Sequence, residues 1–334
     1  MNSLFDVFVG SYGERNEETI HWLSFDPRIG KLEKVAAFDG IEHPSFLEVN
    51  TSKSCLYAIS EVEQGEVICY GIDPVHKQLI EWSRYPTHGG SCYVEVNGDY
   101  VFVSNYTGGN IVVYGTNENG KIEEETDCVH FSTESRLHTI RRLPESDYYV
   151  ATDLGKHKLY FLYFNQETGK LQQRFEAETP YPSGPRHIDF HPEIAVLYVV
   201  NEFDSTVLVY AYDVEKEFVQ LQQRITTLPS NCKQENYGAE VQCNGKLLYV
   251  SNRGHDSITT YQIINNGLLK NYSISRLGSK WPRHFQSKVP GEKHLIIANE
   301  HSNELMVMRK TQKNELVHSN QRHALPRPVC VKVM

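Results

Sequence analysis

Four polar residues of this sequence combine side-chain types that suit acid-base chemistry beside an anion. They are a carboxylate, two guanidiniums and an imidazole: Glu202, Arg186, Arg253 and His138. A carboxylate or an imidazole can activate water, and guanidiniums can hold an anion or stabilise a developing oxyanion. The alternative is a ring of structural ion pairs, which can imitate a functional cluster. We favour function, because acid-base and anion-binding groups occur together.

These residues lie near a short strand-like segment that recurs through the chain. It reads VFVGSY, LYAISE, VFVSNY, YYVATD, LYVVNE, LYVSNR and LIIANE in turn. The fifth residues of these segments are spaced by 45 to 51 positions: Ser11, Ser60, Asn105, Thr152, Asn201, Asn252 and Asn299. A fixed period of this length predicts an array of repeated units.

The repeat predicts an all-β fold. Each unit contains four short strand-like segments, which is the make-up of one propeller blade. Seven such units nearly fill the 334 residues, so we expect one seven-bladed β-propeller domain spanning residues 1–334. The chain begins on a second strand, from Val7 to Gly10, and ends on an isolated first strand, from Pro328 to Val333. We therefore expect the N-terminal strands and the C-terminal strand to complete one blade together.

The blade hairpins are expected to bring polar residues to one mouth of the central channel. In an antiparallel hairpin the start of the first strand lies beside the end of the second. First strands supply His43, His138, Arg186, His187, Arg283, His284 and Arg327, and second strands supply Tyr12, Glu61, Tyr106, Asp153, Glu202, Arg253 and Glu300. The predicted substrate-binding residues are Arg186, Arg253, Tyr106, Asn105, Glu61, His187 and Arg283.

Some of these residues have a plain structural alternative. Asn105 ends a strand, where its side chain could simply cap a turn. Arg283, Asp153 and Glu300 could form ion pairs between blades.

Charge and motif content argue against several classes of protein. Lys and Arg number 33 against 42 Asp and Glu, a net charge of −9, and no basic run suggests nucleic-acid binding. We find no apolar stretch of about 20 residues and no signal-peptide pattern, so we expect a cytoplasmic protein that does not bind membranes. The seven scattered cysteines predict reduced thiols. No cofactor or metal motif is found, and we expect a monomer or a weak homodimer.

Longer motifs resemble a known family. HPSFLEV, SGPRHIDFHPEIAVLYVVNE, LLYVSNRGHDSI and the terminal RPVCVKV look like the propeller lactonases that include bacterial 6-phosphogluconolactonase. This resemblance implies hydrolysis of a sugar-acid lactone, with functional residues at His138, Arg186, Glu202 and Arg253. One departure is Arg136, which stands where the family has a histidine. The motifs also resemble fungal carboxymuconate-cyclising enzymes.

The leading hypothesis is therefore a lactonase for 6-phospho-D-glucono-1,5-lactone. Glu202 would be the general base, with His138 as its partner or substitute. A histidine base would titrate at about pH 6.5. Arg186 and Arg253 would hold the phosphate or the oxyanion. The ligand would thus be a small phosphorylated or carboxylated lactone. The alternatives are a lactonase or cyclase for a carboxylated, muconate-type acid, and a non-catalytic interaction platform.

Overall fold

The recurring segments are all β-strands, rich in the β-branched and aromatic residues that favour extended backbone. The computed structural model describes residues 4–334, the side chains of residues 271 and 272 apart. The recurring strands are β1 (Phe5–Ser11), β5 (Cys55–Ser60), β9 (Tyr100–Asn105), β13 (Tyr148–Asp153), β17 (Val196–Asn201), β21 (Leu247–Arg253) and β25 (His294–Asn299).

Each recurring strand is the second strand of a four-stranded antiparallel sheet. The innermost strands are β4 (Pro44–Asn50), β8 (Ser91–Asn97), β12 (Leu137–Arg142), β16 (Pro185–Phe190), β20 (Tyr237–Asn244), β24 (Pro282–Gln286) and β28 (Pro328–Val333). The third strands are β2 (Ile20–Asp26), β6 (Glu66–Asp73), β10 (Asn110–Thr116), β14 (Lys158–Asn165), β18 (Thr206–Asp213), β22 (Ser257–Ile263) and β26 (Glu304–Lys310). The outermost strands are β3 (Lys31–Phe38), β7 (Gln78–Pro86), β11 (Ile122–His130), β15 (Lys170–Glu178), β19 (Phe218–Thr226), β23 (Leu269–Arg276) and β27 (Leu316–Ala324). A 3₁₀ turn spans Glu300–Ser302.

The seven sheets form a closed ring around a central channel. Each innermost strand contacts the innermost strands on either side of it, and β28 contacts β4 to complete the circle. The second strands lie in the core and the outermost strands at the surface: β5 is buried throughout, whereas β7 has no buried residue. Apolar side chains of neighbouring blades pack against each other. The predicted seven-bladed β-propeller with four-stranded blades is confirmed.

The two ends of the chain share one blade, as the sequence predicts. Strand β28 pairs antiparallel with β1, with Val9 opposite Val331 and Val7 opposite Val333. Strands β2 and β3 complete that sheet. All seven cysteines are free thiols. Between residues 4 and 334, no helix is long and apolar enough to cross a membrane.

Candidate functional site

The hairpin register brings the predicted site residues to the same end of the channel. Pro185 pairs with Asn201, so Glu202, the next residue, lies beside the start of β16. Tyr237 pairs with Arg253 at the same end of the neighbouring blade. We use the name upper mouth for the end of the channel formed by Tyr12, Glu61, Tyr106, His138, Arg186, Glu202, Arg253 and Arg283.

A β-bulge near the start of the innermost strands lets neighbouring side chains reach the channel. In β16, Arg186 is the extra residue of the bulge, and His138 and Arg283 occupy that position in β12 and β24. A bulge leaves one residue unpaired and re-aims the side chains around it. Arg186 and His187 therefore both face other channel groups, whereas strict strand alternation would send them to opposite faces.

Two glycines hold the backbone of Glu202. The Glu202 N–H donates to the Gly184 carbonyl at 2.7 Å, and the Gly238 N–H donates to the Glu202 carbonyl at 3.2 Å. A Cβ atom at Gly238 would lie only 2.3 Å from the Asn201 carbonyl oxygen. Glycine is therefore required for β20 to approach the end of β17 this closely.

The centre of the upper mouth is a carboxylate shared by two guanidiniums. Glu202 Oε2 lies 3.0 Å from Arg186 Nε and 2.9 Å from Arg253 Nη2. Both arginines are also anchored to the backbone: Arg186 donates to the Ala239 carbonyl, and Arg253 donates to the Gly238 carbonyl. Both ion pairs use Oε2, so Oε1 of Glu202 remains available to a water molecule.

The charges of this cluster keep Glu202 ionised and favour an added anion. Burial raises the pKa of Glu202, but Arg253 and Arg186 lower it more, so the net pKa lies below the ordinary value. Burial, with the nearby Arg253 and Arg283, lowers the pKa of Arg186 to about 10. The guanidinium of Arg186 is thus repelled by two others, Arg253 and Arg283. An anion bound among them would relieve that repulsion.

Several buried polar atoms in and directly below the upper mouth have no hydrogen-bond partner within residues 4–334. They are Nε of Arg186, Nε of Arg253, Nδ1 of His138 and Nε2 of His187. The Arg186 Nε is close to Glu202 but is not aligned for a hydrogen bond. An unpaired buried polar group costs about 1–3 kcal/mol, and native proteins contain few of them. Their convergence here is typical of a site that a polar ligand completes.

His138 lies at the side of this cluster as a neutral imidazole. Its ring contacts His187 at 4.9 Å and Tyr106 at 6.3 Å between centroids. Burial and the charges of Arg186 and Arg283 hold its pKa well below 6.5. The expectation that a histidine base would titrate near 6.5 is therefore wrong for His138, because desolvation and nearby cations both disfavour the imidazolium.

A second cluster joins blades across the upper mouth. Glu61 Oε2 lies 3.0 Å from Arg283 Nη2 and also accepts a hydrogen bond from the Tyr12 hydroxyl. The guanidinium of Arg283 lies over the Tyr12 ring, 5.1 Å from its centroid. Arg283 therefore forms the ion pair between blades that the structural alternative expects. It also lies at the channel, close to Arg186, so the two roles are compatible.

Other predicted residues lie farther from the cluster. Asn105 is fully buried, and its side chain bonds to Ser91, Asn110 and the Thr87 carbonyl, as in the turn-capping alternative. The structure therefore does not bring it to Glu202. Asp153 likewise accepts from the backbone N–H groups of Arg136 and Lys156 instead of facing the channel.

Three residues near the site were not selected from the sequence. Trp281 and Tyr237 flank Arg253, with its guanidinium 5.5 Å and 5.9 Å from their ring centroids. Glu240 lies below the upper mouth and contacts His187. The sequence signal for Glu240 was a charged residue in an innermost strand, at the blade position that His187 and His284 occupy in theirs. Among the described residues, no three His, Cys, Asp or Glu side chains could together hold a metal ion.

Comparisons with known proteins agree with this architecture. A family model described as "Lactonase, 7-bladed beta-propeller" matches residues 6–333. A Bacillus subtilis protein named 6-phosphogluconolactonase is 27% identical over 344 residues, covering 98% of this chain and 97% of that protein. An uncharacterised protein of Staphylococcus epidermidis is 30% identical over 310 residues, covering 88% and 89%. The solved structure of a periplasmic gluconolactonase from Pseudomonas aeruginosa has a TM-score of 0.91 at 22% identity, covering 99% of both chains.

Proposed function

Because this chain belongs to the seven-bladed β-propeller lactonase family, we propose that it hydrolyses a sugar-acid lactone, with 6-phospho-D-glucono-1,5-lactone as its substrate. The Bacillus subtilis relative bears the name of that activity. The crowded guanidiniums of Arg186, Arg253 and Arg283 suit a phosphorylated substrate, since arginine binds phosphate through a fork of donors.

The observation that carries the proposal is the ionised Glu202 beside two guanidiniums with unpaired donors. An ionised carboxylate with a free oxygen can take a proton from water. Arg186 and Arg253 each retain an Nε–H that makes no hydrogen bond within residues 4–334. Lactone opening needs both functions at one place, because the attacking water must be deprotonated while negative charge develops on the carbonyl oxygen.

The reaction that these groups support proceeds in two steps. In the first, Glu202 takes a proton from water while the water oxygen bonds to the lactone carbonyl carbon, and the resulting oxyanion is stabilised by Arg186 or Arg253. In the second, the carbonyl re-forms, the bond to the ring oxygen breaks, and that oxygen takes the proton from Glu202. The product is a hydroxy acid, which releases its carboxyl proton to solvent, and the resulting carboxylate faces the same guanidiniums.

His138 is the rival base. Its imidazole is neutral, so it can also accept a proton, and it lies among the same cations. We propose Glu202 as the base and His138 as its partner. The two assignments are separated by comparing Glu202→Gln with His138→Asn at saturating substrate, where the true base loses the larger factor in turnover.

The first experiment is a substrate panel in a pH-stat. Purified protein is tested on 6-phosphogluconolactone, unphosphorylated gluconolactone and a muconolactone-type substrate, with spontaneous hydrolysis subtracted. We expect the highest kcat/KM with the phosphorylated lactone. A preference for the muconolactone would contradict the proposed substrate, and no turnover of any lactone would contradict the proposed activity.

Replacing Glu202 tests the chemical step. Glu202→Gln keeps the size of the side chain and removes the base, so turnover should fall by about 10²-fold or more, with a smaller change in substrate binding. The matched control is Glu304→Gln, which removes an ion-paired carboxylate on the outer strands. Near-normal turnover in both Glu202→Gln and His138→Asn would mean that the upper mouth is an electrostatic seal between blades.

A further inference from the structure

A buried triad lies directly beneath the upper mouth. It consists of His187, Glu240 and His284, contributed by three successive blades and each less than a tenth exposed. Glu240 Oε2 lies 2.6 Å from His187 Nδ1 and 3.4 Å from His284 Nε2. The His187 ring in turn contacts His138. The triad is therefore connected to the proposed catalytic groups through His187.

The backbone determines which nitrogen of His284 carries hydrogen. The Val331 N–H donates to His284 Nδ1 at 3.3 Å, so Nδ1 is an acceptor. A neutral His284 then carries its hydrogen on Nε2, facing Glu240. Glu240 Oε2 therefore lies beside the Nε2–H of His284. If Glu240 is protonated on Oε2, this oxygen can accept a hydrogen bond from His284 and donate one to His187.

The number of protons held by the pair of His187 and Glu240 decides whether His187 Nε2 carries a hydrogen. When the pair holds two protons and the Glu240 carboxyl donates to Nδ1, the hydrogen of the neutral imidazole is on Nε2. When the pair holds one proton, Glu240 is ionised and accepts a hydrogen bond from the Nδ1–H of His187, and Nε2 has only a lone pair. His187 Nε2 is buried and has no hydrogen-bond partner within residues 4–334, so it is the ring nitrogen that remains to pair with a ligand.

The surroundings favour two protons at neutral pH. Burial raises the pKa of Glu240 to about 8, and the charge of Asp189 acts in the same direction. The cations Arg186, Lys332 and Arg141 lower this pKa, but burial is the largest effect.

Burial also lowers the pKa of His187, as do the nearby Arg186, His138, His284 and Arg283. Both groups of the pair are therefore neutral near pH 7. As the pH rises, one proton is lost from Nε2 to solvent while the Glu240 proton moves to Nδ1.

We propose that Glu240 is a positioning residue, which holds the hydrogen of His187 on Nε2 so that the imidazole donates to an oxyanion of the ligand in the upper mouth. The oxyanion belongs to a phosphate or carboxylate bound by Arg186 or to the developing tetrahedral intermediate. The identity of this oxyanion rests on the proposed function. The tautomer of His187 does not rest on it, because the tautomer follows from contacts within the chain.

The tautomer is measured directly by NMR of protein labelled with ¹⁵N-histidine, with the His187 signals assigned from a His187→Asn variant. In the unaltered protein we expect the hydrogen on Nε2 at pH 7 and on Nδ1 above about pH 8. In Glu240→Gln the atom at the position of Oε2 faces the Nε2–H of His284, so the amide places its oxygen there and accepts from both histidines, and the hydrogen of His187 should lie on Nδ1 at both pH values. The control is Glu304→Gln, which alters a glutamate paired with Arg322 on the outer strands and should leave the switch intact.

Ligand binding provides the second readout. With 6-phosphogluconate as the probe, affinity by calorimetry should fall about tenfold between pH 7 and pH 9.5, the worth of one hydrogen bond to a charged group. In Glu240→Gln the affinity should already be low at pH 7 and should not fall further. Nδ1–H in the unaltered protein at pH 7, or a switch that persists in Glu240→Gln, would overturn the proposal. If 6-phosphogluconate does not bind at pH 7 while the tautomer behaves as expected, the failure lies with the proposed substrate.

Discussion

At the scale of single residues, the upper mouth depends on how neighbouring charges set the protonation of Glu202. Its net pKa lies below the ordinary 4.5 because Arg253 and Arg186 outweigh the effect of burial. The ionised form is the base, so activity should persist as the pH falls through 6.5 and decline only below 4.5. This is measured as the pH profile of kcat/KM. A half-maximal fall near pH 6.5 would contradict Glu202 as the base, and it would equally contradict His138, whose pKa also lies well below 6.5.

The two arginines that hold Glu202 should both be needed for binding. In Arg186→Ala or Arg253→Ala, loss of one partner of a desolvated charge pair should cost about 2–5 kcal/mol in affinity for 6-phosphogluconate by calorimetry. Each variant should also move the acid limb of the pH profile upward, since Glu202 loses a stabilising cation. The control is Arg322→Ala, an outer-strand arginine paired with Glu304. Unchanged binding in both test variants would make Arg186 and Arg253 structural ion-pair partners.

At the scale of elements, strand ends carry both structural and functional polar residues, and Asn105 separates the two roles. Its side chain ties the end of β9 to Asn110 and to the loop before β8. Asn105→Ala should lower the free energy of unfolding by about 1–3 kcal/mol, because buried partners lose their hydrogen bonds. KM should not change. Denaturant unfolding and steady-state kinetics measure both, with the exposed Asn119→Ala as control, and a raised KM at unchanged stability would restore a substrate-binding role.

At the scale of the whole molecule, the ring is closed by one short strand. Val329 and Val331 of β28 are buried, and each contributes about 1.5–3 kcal/mol, against about 5–15 kcal/mol for a whole domain. Lys332 also pairs with Glu48 across the closure. Deleting Pro328–Met334 should therefore abolish cooperative thermal unfolding, whereas Lys332→Ala should only lower the melting temperature. A truncated chain that melts within a degree or two of the full-length protein would show that closure is dispensable.

The repeat and the grouping of polar residues could be read from the sequence because both depend on local order along the chain. Strand patterning and hairpin connection are short-range properties. The recurring strand segments, such as those that contain Asn201 and Asn252, were therefore enough to predict the blades. It also predicted that Glu202, Arg186 and Arg253 would share one end of the channel. The pairing of β1 with β28 followed from an incomplete unit at each end.

Only the tertiary structure decided how these groups act on each other. The bulge that turns both Arg186 and His187 toward the channel depends on hydrogen-bond register, which residue types alone do not specify. The contact of Arg253 with Glu202 and the contact of His187 with Glu240 each join residues about 50 positions apart on neighbouring blades. The pKa shifts of His138 and Glu240 follow from burial and from charges on other blades, so they depend on the assembled ring.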